Sequence, residues 1–285
     1  MFMTLGRAVA HAMAVAAAPR RAIVPALAAV CILLGMQMSR PDAQAEPLPT
    51  AYRLLKLHDH IARWPRRADG RATLVTFAVI DAPLGLARTR NCAKLVEIDA
   101  ALRPSRISTE QFRAELKAAF DMWESVAHLK FVETDDQLNA GLLIGAQGEP
   151  TGRAFTNVEL TPETSGGMRT IAQARICLNP TLPWKVGFDG NLAIYDLRYT
   201  LAHEIGHAIG LDHPGPSGQM MAFRYTEHFR EPQAGDVGGA EALYGRPAAA
   251  VMNQSAADRR AAVPRAGSAA VAGAFAQIEI DTQKR

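Results

Sequence analysis

The sequence predicts an α+β domain on a mixed, twisted sheet, and three observations carry that prediction. Residues 73–80 are a branched apolar run suited to a buried strand. Ser108 opens a helix whose large apolar residues recur on one face. A second helix opens at Asp196, after several short strand-like runs.

Taken in order, the first strand is ended by Pro83-Leu84-Gly85, residues that favour a turn. Ser108 and Gln111 have capping-box spacing, and Phe112, Leu116, Phe120 and Trp123 then follow at helical intervals. Such a stripe packs a core, so it is given no chemical role. Residues 130–133 and 141–145 read as short strands, and 153–158 and 174–178 as two more. Asp196 can accept an amide hydrogen of the first turn, and its helix runs to Gly210. A turn and a last helix complete the domain, placed at residues 71–246.

Within the second helix lies His203-Glu204-Ile205-Gly206-His207-Ala208-Ile209-Gly210-Leu211-Asp212-His213. His203 and His207 differ by a rise of about 6 Å and a rotation of about 40° past a full turn, so both imidazoles leave one face. A continued helix would carry His213 about 15 Å along the axis, too far to share an ion with bonds of about 2.0 to 2.1 Å. Gly210 can take the left-handed conformation that ends a helix and lets the chain reverse. Three imidazoles can then hold one Zn2+ with a fourth position open, beside which Glu204 can accept a proton from water.

This pattern resembles the signature of the metzincin metalloproteases, and further residues resemble the matrixin branch, in a bacterial-type form. Met221, eight residues after His213, is similar to the methionine of a Met-turn. Arg224-Tyr225, the stretch from Gly235 to Leu243-Tyr244-Gly245, and Phe120-Asp121-Met122-Trp123-Glu124 also resemble matrixin segments, so the likeness covers about residues 73–245. It implies a zinc endopeptidase with His203, His207 and His213 as ligands and Glu204 as general base. The implied substrate is a protein or peptide held extended along Gly152-Arg153-Ala154-Phe155-Thr156, with Phe223 and Tyr225 in the wall of the pocket beside the metal. The competing expectation is a non-catalytic zinc-binding module, against which the intact Glu204 argues.

Some residues depart from the pattern. Phe223 stands where a proline is usual in the matrixin wall and where astacins and serralysins carry a tyrosine ligand, so no fourth protein ligand is expected. Pro214 follows the third histidine as in serralysins, yet their glycine-rich calcium repeats are missing from the sequence. No histidine falls between His128 and His203, so a second zinc is not expected. Asp135-Asp136 and Asp189 lie in polar loops, but no Ca2+ motif is complete.

The 285 residues carry a formal charge of +3 and 48% hydrophobic residues, which indicates neither a nucleic-acid surface nor general disorder. Arg20-Arg21, the apolar run 22–36 and Ala43-Gln44-Ala45 read as a signal peptide over residues 1–45. The apolar run is shorter than the roughly 20 residues a spanning helix needs, so no membrane anchor is expected once the leader is removed. The signal peptide implies a secreted or periplasmic protein, and a monomer is expected. Removing the leader takes Cys31 and leaves Cys92 and Cys177, an even pair that favours one disulfide over free thiols. Residues 46–70 read as an N-terminal extension; it contains no cysteine that could serve as a matrixin-type latency switch. Residues 247–285, rich in alanine, arginine and small polar residues, read as a flexible tail with a short helix or strand near 270–280.

Overall fold

A computed structural model describes residues 52–85, 91–215 and 218–248. The leader of residues 1–45 and the tail from residue 249 onward lie outside the described residues. The strands are β1 (Arg53–Leu54), β2 (Lys56–Leu57), β3 (His60–Arg63), β4 (Thr73–Val79), β5 (Leu84–Gly85) and β6 (Lys94–Val96). Helices α1 (Asp99–Leu102) and α2 (Thr109–Val126) lead to β7 (Leu129–Glu133), β8 (Leu142–Gln147), β9 (Ala154–Ser165) and β10 (Met168–Leu178). After them come β11 (Trp184–Lys185), β12 (Tyr195–Asp196), α3 (Leu197–Ala208), β13 (Leu211–Asp212) and α4 (Ala234–Tyr244).

The main sheet runs β2-β3-β10-β8-β4-β7, with β9 along the other side of β10 and β6 against β8. Pairings β3/β10, β10/β8, β8/β4 and β4/β7 are parallel, whereas β9/β10, β2/β3 and β6/β8 are antiparallel. Parallel neighbours need a crossover, and α2 lies in the one that carries the chain from β4 to β7. The period of two along the strands divides the core. Val75, Phe77, Leu142, Ile144 and Ile176 face α2 and α3, while Ala78, Ile80, Leu143 and Cys177 face a smaller cluster with Leu95 and Cys92. A disulfide joins Cys92 to Cys177 inside that second cluster.

Helix α2 starts where the capping residues place it. The Ser108 hydroxyl accepts the Gln111 amide at 3.1 Å, and Gln111 Oε1 accepts the Ser108 amide at 2.9 Å. Its apolar stripe is buried, with Phe120 between Phe77 and Phe131 at 4.6 and 4.3 Å. Trp123 reaches across to α3, its indole donating to the Ala202 carbonyl at 2.8 Å.

Two sequence expectations are corrected. Residues 53–63, set apart as part of an extension, instead supply β1 to β3: β3 pairs with β10, and β1 pairs with β13. Strands of two to four residues have no period of their own to read, and only their tertiary partners define them. The β9–β10 hairpin also reaches far beyond 153–158 and 174–178, turning at Gly166-Gly167 with φ of 57° and 76°. Its outer half is polar, with register shifts between Arg169 and Gln173, and so reads locally as a loop.

Candidate active site

Helix α3 is capped by Asp196, fully buried, whose Oδ1 accepts the Tyr199 amide at 2.9 Å. Its other oxygen accepts the Gly187 amide at 2.6 Å, and Arg230 approaches both oxygens at 3.1 and 3.0 Å. A buried carboxylate needs such partners. Arg198 and Arg230 also hold the buried Glu115 of α2. The helix on which His203, Glu204 and His207 stand is thus tied at its start to three other parts of the chain.

Its end is set by Gly210, at φ +99°. A Cβ there would lie 2.2 Å from the Ala62 carbonyl oxygen, so space as well as backbone conformation requires glycine. The chain reverses through β13 and returns His213, whose Nε2 stands 3.2 Å from Nε2 of both His203 and His207. Nitrogens about 2.0 to 2.1 Å from one tetrahedral ion would stand about 3.3 to 3.4 Å apart, so the donor set fits zinc. The outer nitrogens have partners: His203 Nδ1 donates to the Met220 carbonyl at 2.8 Å, and His207 Nδ1 to the Leu211 carbonyl at 2.9 Å. Those bonds select the tautomer whose lone pair points inward. Burial lowers the pKa of all three rings, that of His213 to about 4, which keeps them neutral and able to ligate.

Glu204 is 7% exposed, and burial pushes its pKa up to about 7. The one opposing contact is with Thr156 of β9, whose hydroxyl oxygen lies 2.7 Å from Glu204 Oε2 and 2.9 Å from the Glu204 backbone carbonyl. Alternation along β9 explains the contact. Ala154, Val158 and Leu160 pack toward α3, whereas Phe155 packs on the disulfide cluster and Asn157 accepts the amides of Asn91 and Cys92. Phe155 of the expected substrate strand therefore turns its ring to that cluster, and Thr156, expected only as part of that strand, faces the Glu204 carboxylate. The period of two was the signal that could have found it.

The two methionines that follow the third histidine act differently from one another. Met221 is buried against the helix at Gly206, where a Cβ would meet its sulfur at 2.2 Å. Met220 contributes its carbonyl, the acceptor for His203. Both amides are held by Asp236 of α4, a buried residue to which the sequence assigned nothing.

The three histidines and Glu204 line one cleft of about 870 Å³ that also takes in Leu55, Leu57, His58 and the Arg153–Leu160 stretch. Tyr225 stacks on Tyr195 at 4.1 Å, accepts the Asp196 amide at 2.9 Å and donates to Glu227 at 2.8 Å. Phe223 is 80% exposed at the cleft mouth, edge-on to His213 at 5.3 Å, so it is no core aromatic. The Arg153 guanidinium turns from the histidines to the carbonyls of Pro183 and Ala193 and lies over Tyr195. Of the acidic loop residues, Asp136 binds the amide and side chain of Asn139, and Asp189 pairs with the Lys185 ammonium, which also contacts Glu227. A protein cation thus stands between Asp189 and Glu227.

Comparison with known proteins agrees with the geometry. The Matrixin (Peptidase_M10) family pattern matches residues 97–245, more than half of the chain. Matrix metalloproteinase-19 of Homo sapiens is 31% identical over 161 residues, 53% of this chain and 29% of that protein. Metalloendoproteinase 4-MMP of Arabidopsis thaliana is 28% identical over 150 residues, 49% of this chain and 42% of that protein. Stromelysin-3 of Homo sapiens is 27% identical over 164 residues, 54% of this chain and 31% of that protein. The chain therefore spans less than half the length of each of these relatives. With that match over residues 97–245 and an α+β domain that closes three histidines on one point, the chain belongs to the matrixin family.

Proposed function

We propose that this protein is a zinc-dependent endopeptidase acting outside the cytoplasm. The observation that carries the reading is the convergence of the His203, His207 and His213 Nε2 atoms in the same cleft as the buried Glu204 carboxylate. The three histidines would hold the ion. Zinc supplies Lewis acidity, which polarises a carbonyl and makes a water more acidic.

The chain's own groups do the rest. Thr156 holds Glu204 Oε2, leaving the other carboxylate oxygen to take the proton of an attacking water. Glu204 then delivers that proton to the amine nitrogen of the departing peptide half, which is base and acid work at one residue. A carboxyl with a pKa near neutrality suits both directions. Among the described residues β9 pairs with β10 alone, so its outer edge can bind an extended peptide by backbone hydrogen bonds. Arg153, Ala154 and Phe155 offer that edge, while Tyr225 and Phe223 border the space for a medium or large apolar residue after the scissile bond.

Export is supported by the Cys92–Cys177 disulfide, which belongs to an oxidising compartment, and by the leader read in residues 1–45. No helix of the described residues is long and apolar enough to cross a membrane. Every group of the site comes from one chain, so a monomer suffices.

The test is metal analysis beside hydrolysis of an unfolded protein, with and without a chelator. One zinc per chain and chelator-sensitive cleavage are expected, and Glu204→Ala should keep the zinc while hydrolysis is lost. Full activity of that variant would remove Glu204 from the mechanism. A zinc-loaded, inert parent chain would favour the binding module.

A further inference from the structure

The donors that close the C-terminal end of α3 come largely from residues that precede the matched family region. Helix ends leave carbonyls without intrahelical partners. Here Ala208 O accepts the Trp64 indole N–H at 3.0 Å, Ile209 O accepts the Tyr244 hydroxyl at 2.6 Å, and Gly210 O accepts the Leu55 amide at 2.7 Å. Tyr244 in turn accepts the Trp64 amide at 3.1 Å, so Trp64 touches the helix end twice, once through the tyrosine. Beyond the turn, Arg53 and Leu54 pair with Asp212 and Leu211, and Arg53 lies 3.2 Å from the Asp212 carboxylate. The Ala62 carbonyl closes the space over Gly210. Trp64 and Ala62 are buried.

Two of the three histidines share a helix, whose rigidity fixes their spacing. The third depends on the path of residues 209–212, and residues 53–64 contact nearly every step of that path. We propose that residues 53–64 are a positioning element of the metal centre, setting where His213 stands relative to His203 and His207. The inference rests on the zinc reading above. Its consequence is that cleavage within residues 53–64 releases the metal and ends activity, so this segment is not a removable extension.

The experiment uses the full chain with Trp64→Phe, which removes one donor and keeps the ring, and Leu55→Pro, which removes the amide bound by Gly210. Phe131→Leu, at the opposite edge of the sheet, serves as a control for general destabilisation. Each protein is loaded with zinc, shown to be folded by circular dichroism at the working temperature, and mixed with excess chromogenic chelator. Zinc release is expected to be about 10-fold or more faster in the two positioning variants, in line with the usual cost of losing a partner behind a metal ligand, and unchanged in Phe131→Leu. With zinc in excess, kcat on a peptide should fall while KM holds. Unchanged release in a folded Trp64→Phe chain overturns the inference, as does equal acceleration in Phe131→Leu; if Leu55→Pro does not fold, Trp64→Phe decides. A zinc-loaded parent with unaffected variants overturns this inference alone, whereas a folded parent that takes up no zinc overturns the proposed function with it.

Discussion

Asp236 holds the backbone of Met220 and Met221: its Oδ1 accepts the Met221 amide at 3.0 Å while Oδ2 accepts the amides of Met220 and Gln233, each at 2.8 Å. One carboxylate at the start of α4 therefore fixes the backbone whose carbonyl orients His203. In Asp236→Asn an NH2 group must face some of those N–H donors, leaving a buried donor without an acceptor. A loss of about 2 kcal/mol is expected, measured by urea unfolding at neutral pH. Parent-like stability would show that the carboxylate is not the clamp.

Thr156 predicts a separable effect. Thr156→Val keeps the shape of the side chain and removes the hydroxyl beside Glu204. It should lower kcat by roughly 10-fold, well short of the roughly 10²- to 10⁴-fold contribution of a general base, with KM and zinc content unchanged. Thr156→Ser should recover most of the rate. Equal losses in Val and Ser variants would point to packing rather than to the hydrogen bond.

Tyr225 tests the proposed selectivity. Its ring is stacked on Tyr195 and its hydroxyl is bound to Asp196 and Glu227, so a wall built on it would be rigid. Tyr225→Ala should weaken the preference for an apolar residue after the scissile bond in a peptide-library profile. An unchanged profile would place the pocket wall elsewhere.

The loop around Lys185, Asp189 and Glu227 makes a pH prediction. Hydrogen bonding to Lys185 lowers the Asp189 pKa below 3.8. Burial acts to raise that of Glu227, but Lys185 and the Gly190 amide bring it below 4.5. Because both folded values are lowered, the stability they contribute is present above the ordinary values of 3.8 and 4.5 and is lost as pH falls through the folded ones. The Gly190 amide, which donates to Glu227 at 2.6 Å, should therefore keep its NMR position through mildly acid pH and shift only below that range. In Lys185→Met the shift should come at higher pH; an identical midpoint would remove the ammonium from the loop.

What could be read along the chain was whatever a short window encodes. The capping box at Ser108, the N-cap at Asp196, the spacing of His203 and His207, and the glycine needed at residue 210 each follow from local geometry, and the structure places each of these features there. Cysteine parity likewise pointed to the Cys92–Cys177 pair that the structure joins.

Tertiary structure decided the rest, because those residues act through partners far away in sequence. Thr156 meets Glu204 across 48 positions, Asp236 meets Met220 across 16, and Trp64 meets Ala208 across 144. The Asp236 and Trp64 pairs leave no periodic trace, whereas the period of two along β9 gives the side that Thr156 takes but not the partner it meets. The residues that carry the chemistry are thus written in one motif of the chain. The residues that hold that motif in place become visible only when β1, β9 and α4 are packed around it, because a buried polar group must find its partner wherever the fold supplies one.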